Sequence, residues 1–274
     1  MPLKIYQPGP PLSDHIQMMW SWGGYHVSHP AERILPNGAM EITFNLGNAF
    51  CVYDPQQSNA PITIAGGMFI GARSRHFIID TRNPASLVSV WFKPGGALPF
   101  MGVTGSALHN LHVPLADIWG QAGHDLHEML WDAPTPDAQF RILEATLQER
   151  LRTATPRHQA VGYALTHLHR RDNSQTIADL VDAVALSPTR FIQVFREDVG
   201  MTPKQFERVQ RLRFALAQIA NQSWTTWVDL ALACGYYDQA HFINDFRSFT
   251  GITPTDYAPQ SRDHHMNIPV YEMG

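Results

Sequence analysis

Thr189, Arg190, Gln193 and Arg196 lie off the apolar stripe of one short helical run, and Gln239, His241, Asn244 and Arg247 lie off the stripe of a second. Arginine pairs with guanine O6 and N7 or with phosphate, whereas asparagine and glutamine pair with adenine N6 and N7. The chemistry these side chains can do from a helix is groove reading on a nucleic-acid duplex. Any exposed helix face is polar, so one such run alone does not separate a reader of bases from a plain scaffold. Two copies carry more weight.

The two runs belong to an internal repeat. Phe191-Ile192-Gln193-Val194-Phe195-Arg196 is echoed by Phe242-Ile243-Asn244-Asp245-Phe246-Arg247, and Gly200-Met201-Thr202-Pro203 by Gly251-Ile252-Thr253-Pro254, at one constant offset. Upstream, Leu180 and Ala185-Leu186 answer to Leu230 and Gly235-Tyr236 at an offset one residue shorter. Each copy reads as a short helix, a tight turn and a second helix whose apolar residues, Phe191/Phe195/Val199 or Phe242/Phe246 with Phe249, share a face. That is helix-turn-helix geometry. In Gly-x-Thr-Pro the glycine suits a left-handed C-cap, the threonine an N-cap and the proline the first position of the next helix. Between the copies, Pro203 to Ala220 predicts one continuous helix with Phe206, Val209, Leu212, Ala215, Leu216 and Ile219 inward. Its 18 residues span about 27 Å, near the approximately 34 Å of one DNA turn. Arg208, Arg211 and Arg213 on this spacer are candidates for phosphate contacts, with a solvated helix face as the plainer alternative.

The rest of the chain must position these helices. Before Phe100, the runs MEITFNL, PITIAGGMFIG, RHFIID and SLVSVWF, broken by Gly, Pro and Asn, have the texture of an antiparallel β domain. Met40, Ile42, Phe44 and Leu46 alternate with Glu41, Thr43 and Asn45, so one face is expected to be core. Helices are expected at Pro114–Trp119 and Ala138–Leu151, and breakers at 133–136 and 153–157 place the main boundary near residues 152–157. The fold class is α+β. Its 274 residues, 44% of them apolar, suffice for two cores. Cys51 and Cys234 sit far apart in apolar runs, as buried thiols of a reducing compartment do, and no stretch is long and apolar enough for a secretion signal or a membrane span. The expected location is the cytoplasm. Net charge is −4, and between Ser174 and Arg262 eight basic residues stand against nine acidic ones, so charge gives no support to nucleic-acid binding. The case rests on pattern.

Other chemistry finds little footing. His26, His29 and Glu32 form a His-x-x-His-x-x-Glu run, but residues three apart on a strand face opposite ways, which argues against a metal site. His264 and His265 are expected in solvent. There is no Gly-x-Ser-x-Gly, P-loop or dinucleotide fingerprint, and Lys93-Pro94-Gly95-Gly96 reads as a turn. No enzyme activity, cofactor or metal is expected. In the β domain, Trp20, Trp22, Tyr25, Phe44, Trp91 and Phe92 permit an apolar or aromatic ligand, although aromatic residues on strands are more often core. Arg33, Glu41, Arg73, Arg75 and Trp91 are candidate anchors of such an effector. The alternative reading is a small-molecule-binding β domain or an enzyme carrying a helical appendage.

The segment LALACGYYDQAHFINDFRSFTGITPTDYAP resembles the C-terminal signature of the AraC/XylS family, and the resemblance extends over about Pro156 to Pro259. It implies a DNA-binding domain of about seven helices that reads promoter DNA with two helix-turn-helix units and activates transcription by contacting RNA polymerase. Thr189, Arg190, Gln193, Gln239, His241 and Asn244 take the family's base- and phosphate-contacting places. Copy one departs from the pattern, with Val181 and Ala185 where the family has alanine and a turn glycine, as copy two does at Ala231 and Gly235. The first half, through ILPNGAMEITFNLG, FIGARSR and WFKPGGALPFMG, is similar to a sensor domain found in part of this family, which implies a β-rich, cupin-like sensor with helices that can pair two protomers. The expected division is a sensor and dimerisation domain over 1–152, a DNA-binding domain over 153–262 and a tail over 263–274.

Overall fold

The computed structural model describes residues 3–56, 60–152, 157–168, 176–222, 224–257 and 266–271. Strands β1 (Lys4–Tyr6), β2 (Ile16–Tyr25), β3 (Ala31–Ile34), β4 (Glu41–Asn45), β5 (Phe50–Tyr53), β6 (Ile62–Ile64), β7 (Gly67–Ile70), β8 (Phe77–Asp80), β9 (Ala85–Phe92), β10 (His112–Pro114) and β11 (Asn267–Val270) form two antiparallel sheets. One has the order β1-β2-β9-β4-β7-β10, the other β11-β3-β8-β5-β6.

Along β4, Ile42 and Phe44 are buried in the main core with Phe69, Val88, Val90 and Phe92. Burying one such side chain contributes roughly 1.5–3 kcal/mol. The opposite face is also buried, contrary to the expectation of a single core face. There Thr43 Oγ1 lies 2.8 Å from Ser89 Oγ, and Asn45 Nδ2 donates across to the Ile64 carbonyl of the second sheet at 3.0 Å. The second sheet closes over the polar side of β4, and Val52, Ile64, Met68, Ile70 and Phe77 make a smaller core between the sheets.

Helices α1 (Leu98–Met101), α2 (Leu115–Trp119), α3 (Gln121–Asp132) and α4 (Pro136–Leu151) follow. The expected pair at 114–119 and 138–151 corresponds to α2 and α4, and α3 is an addition. Leu126, Leu130, Phe140, Leu143 and Leu147 pack into the same core as Phe44 and Phe92.

The C-terminal part contains six α-helices among the described residues: α5 (Gln159–Leu168), α6 (Ile177–Ala183), α7 (Pro188–Val199), α8 (Pro203–Ala220), α9 (Trp227–Ala233) and α10 (Gln239–Thr250). Every apolar residue expected inside α8, from Phe206 to Ile219, is buried. Thr202 and Gln205 form a reciprocal capping box at its start. The second Thr-Pro pair starts only a turn, in which the Thr253 hydroxyl donates to Asp256 Oδ2 at 2.6 Å.

The two halves are packed together. His76 donates to the Phe249 carbonyl from both its backbone N–H and its Nδ1, each at 3.1 Å. At the other unit, a Cβ on Gly105 would lie 2.8 Å from the Gly200 nitrogen and 2.9 Å from the Glu197 carbonyl, so only glycine admits this approach. The segment expected as a tail contains β11, which returns to pair with β3, Ile268 opposite Arg33. His264, His265 and the 153–156 breaker lie outside the described residues.

Candidate nucleic-acid interface

Each helix-turn-helix unit is built by local hydrogen-bond chemistry. In the first, Thr176 caps α6 by accepting from the Asp179 N–H, and Asp179 accepts from Thr176 in return. Ser187 caps α7 through the Arg190 N–H at 3.3 Å. Thr226 caps α9, and Asp238 caps α10 through the His241 N–H at 2.7 Å. Gly200 (φ 89°) and Gly251 (φ 74°) end α7 and α10 in the left-handed conformation, as the repeat predicts. The turn of the first unit matches that of the second, because Ala185 adopts φ +53° where Gly235 has +79°. Alanine pays for that shape in strain, since its Cβ crowds the left-handed conformation.

With Phe191, Val194, Phe195 and Val199 buried, α7 exposes Thr189, Gln193 and Arg196 along one stripe, and Arg190 flanks it. Gln193 Nε2 donates to Glu197 Oε1 at 2.9 Å. In α10, Phe242, Phe246 and Phe249 are buried, leaving His241, Asn244 and Arg247 on one exposed stripe. Gln239 is half-buried and off this stripe. The structure adds Tyr237, 87% exposed in the turn just before the α10 cap; an aromatic residue in a turn was its only signal in the sequence.

The even balance of acids and bases hides an uneven placement. Asp179, Asp229 and Asp238 are occupied in caps, and the hydrogen bonds from Thr176 and Thr226 hold the Asp179 and Asp229 carboxyls below the ordinary carboxylate range. Asp198 is buried and accepts from the His158 N–H at 3.0 Å. Asp245 is buried against Arg208, whose Nη2 lies 2.5 Å from Oδ1. The hydrogen bonds from Arg208 to Asp245 hold its guanidinium above its ordinary value. Arg211 pairs with Glu207, and Arg213 donates to the Gln210 side chain at 3.0 Å. No carboxylate therefore stands on the exposed stripe of α10.

The candidate effector anchors divide. Glu41 on β4 stands opposite Trp91 on β9, and Arg73 lies 4.0 Å from Glu41. The Arg73 guanidinium covers the Phe77 ring at 3.7 Å and donates to His112 Nε2 at 3.2 Å. Burial pushes the Glu41 carboxyl up against the opposing pull of Arg73 and Trp91. It brings Arg73 down to about 10 and, with the Arg73 charge, His112 down to about 3. Arg33 is not part of this cluster. It projects from β3 within electrostatic reach of His76, at the junction with the helical part, while Arg75 pairs with Asp54 at 2.6 Å. His29 and Glu32 are buried and bonded to each other at 2.9 Å, and Glu32 also accepts from Tyr25 and Asn267. Among the described residues no three His, Cys, Asp or Glu side chains gather as a metal site.

Residues 180–260 match the model of a helix-turn-helix domain, and residues 4–114 match a domain of unknown function (DUF6597). The chain is similar to an HTH-type transcriptional regulator of Haemophilus influenzae, 30% identical over 42% of this chain and 36% of the relative. It is also similar to a protein of Streptomyces lividans named as an AraC-like transcription regulator, 32% identical over 35% of this chain and 32% of that one. The matches thus span about a third of these relatives' own length. Among solved structures, ToxT from Vibrio cholerae is similar at TM-score 0.48 and 10% identity, over 87% of this chain and 97% of that one. The C-terminal part, over the helix-turn-helix domain that contains α7 and α10, is thus similar to AraC-like transcription regulators.

Proposed function

We propose that the protein is a sequence-specific, effector-responsive activator of transcription that binds double-stranded promoter DNA with α7 and α10. The observation that carries this reading is the pair of capped helices, each presenting arginine and an amide side chain on an exposed stripe. Thr189, Arg190, Gln193, Arg196, His241, Asn244 and Arg247 take the contacts. Gln239 joins them from the first turn of α10 by turning outward. The effector is read by the β domain, with Glu41, Arg73 and Trp91 as its polar anchors. RNA polymerase, a second protomer and a cytoplasmic location complete the reading, and no catalytic role belongs to it.

The test is binding of the purified chain to the DNA upstream of its own gene across a salt series. Asn244→Ala or Arg190→Ala is expected to cost about 1–3 kcal/mol of specific binding while leaving binding to unrelated DNA nearly unchanged. A wild-type chain that shows no salt-sensitive preference for that DNA overturns the reading.

A further inference from the structure

The inward side of α10 and the spacer α8 bound a cleft of about 360 Å³, lined by Lys204, Glu207, Arg208, Arg211, His241 and Asp245. Lys204 is the second residue of the 18-residue α8, and His241 the third of the 12-residue α10, so the cleft opens between two helix N-termini. The helix dipole makes such ends favourable to negative charge. The charges inside are unequally committed. Arg208 is held by Asp245 in a two-pronged contact, and Arg211 is held by Glu207. Lys204 is exposed and has no ion pair among the described residues. Lys204, Arg208 and Arg211 face the carboxylates of Glu207 and Asp245, which leaves one positive charge for one negative charge.

A second observation points the same way. The Tyr236 side chain is 3% exposed, and its hydroxyl has no hydrogen-bond partner among the described residues. Its ring lies 5.2 Å from the His241 ring and 5.8 Å from the Arg211 guanidinium. A buried hydroxyl without a partner costs free energy, and the ring that carries this one lies against His241 and Arg211, two residues that line the cleft. His241 also belongs to the exposed stripe of α10, so the cleft opens beside the face that meets bases.

We propose that this cleft seats one backbone phosphodiester of bound DNA, held by Lys204 and His241 with Arg211 behind them. The spacer helix is then itself a DNA-contacting element and fixes the position of α10 along the duplex. A phosphodiester carries the single charge that the lining matches, whereas a doubly charged anion would meet Glu207 and Asp245. This inference rests on the DNA-binding reading above.

The experiment compares wild type, Lys204→Ala and Lys204→Arg as full-length protein, on the upstream DNA and on unrelated DNA. Lys204→Ala is expected to weaken both by the same factor and to make the slope of log K against log salt shallower by about one. Lys204→Arg retains the slope. Replacing single phosphates of the DNA by neutral methylphosphonates should reveal one position that weakens wild type and has no effect on Lys204→Ala. If Lys204→Ala keeps the wild-type slope and the same methylphosphonate sensitivity, the phosphate seat is wrong and DNA binding stands. If wild type itself shows no salt-sensitive preference, the DNA-binding reading has failed first.

Discussion

Arg73 and His112 show how single residues couple this fold to pH. His112 accepts from Arg73 through Nε2, so the folded protein needs the neutral imidazole, and burial, with the Arg73 charge, lowers its affinity for a proton from the ordinary 6.5 to about 3. His76 and His109 are lowered in the same direction, mainly by burial. A depressed histidine binds its proton more readily in the unfolded chain, so the stability it contributes is complete above about 6.5 and is lost as pH falls toward 3. The thermal midpoint should therefore drop on acidification through this window, and His112→Gln should flatten the drop. A midpoint equally pH-dependent in wild type and variant would sink this account. At this scale the sequence was informative wherever side-chain spacing decides exposure, as for Asn244, Arg247 and Gln193. It was silent on the separation of Arg33 from Glu41 and Arg73, because which face of β3 meets which neighbour depends on pairing that no local pattern encodes.

At the scale of elements, the two helix-turn-helix units are close copies with one conflict. Ala185 holds a left-handed backbone that glycine adopts without strain, and the second unit has Gly235 at the matching place. Ala185→Gly relieves that strain at the cost of a more flexible unfolded chain. The balance should stabilise the protein by about 1 kcal/mol, read as a higher denaturant midpoint at unchanged slope; a lower midpoint would show that the turn is not strained. The helices of these units were legible because caps, apolar spacing and repetition agree. Others were not. In α3, Gly120 and Gly123 stand where a strong start signal would be, and the register is set by packing of Leu126 and Leu130 on the sheet. The four-residue strand β11 contains Pro269 and is specified by its partner β3 rather than by its own residues.

For the molecule as a whole, the β part grips both recognition units, one at Gly105 and Gly200 and the other at His76 and Phe249. Two separate holds fix the spacing between α7 and α10. Gly105→Val forces a side chain into the Gly200 backbone, and the expected result is a larger radius of gyration in solution scattering with unchanged helix content. An unchanged radius would mean that the first hold tolerates displacement. The strand β11 adds an order in time. Its Asn267 bonds to Glu32, 235 residues earlier, so the five-stranded sheet keeps an open edge at β3 until the entire helical part has been synthesised. A nascent chain arrested before residue 267 should expose that edge, with its unpaired N–H and C=O groups, to whatever strand or chaperone meets it first.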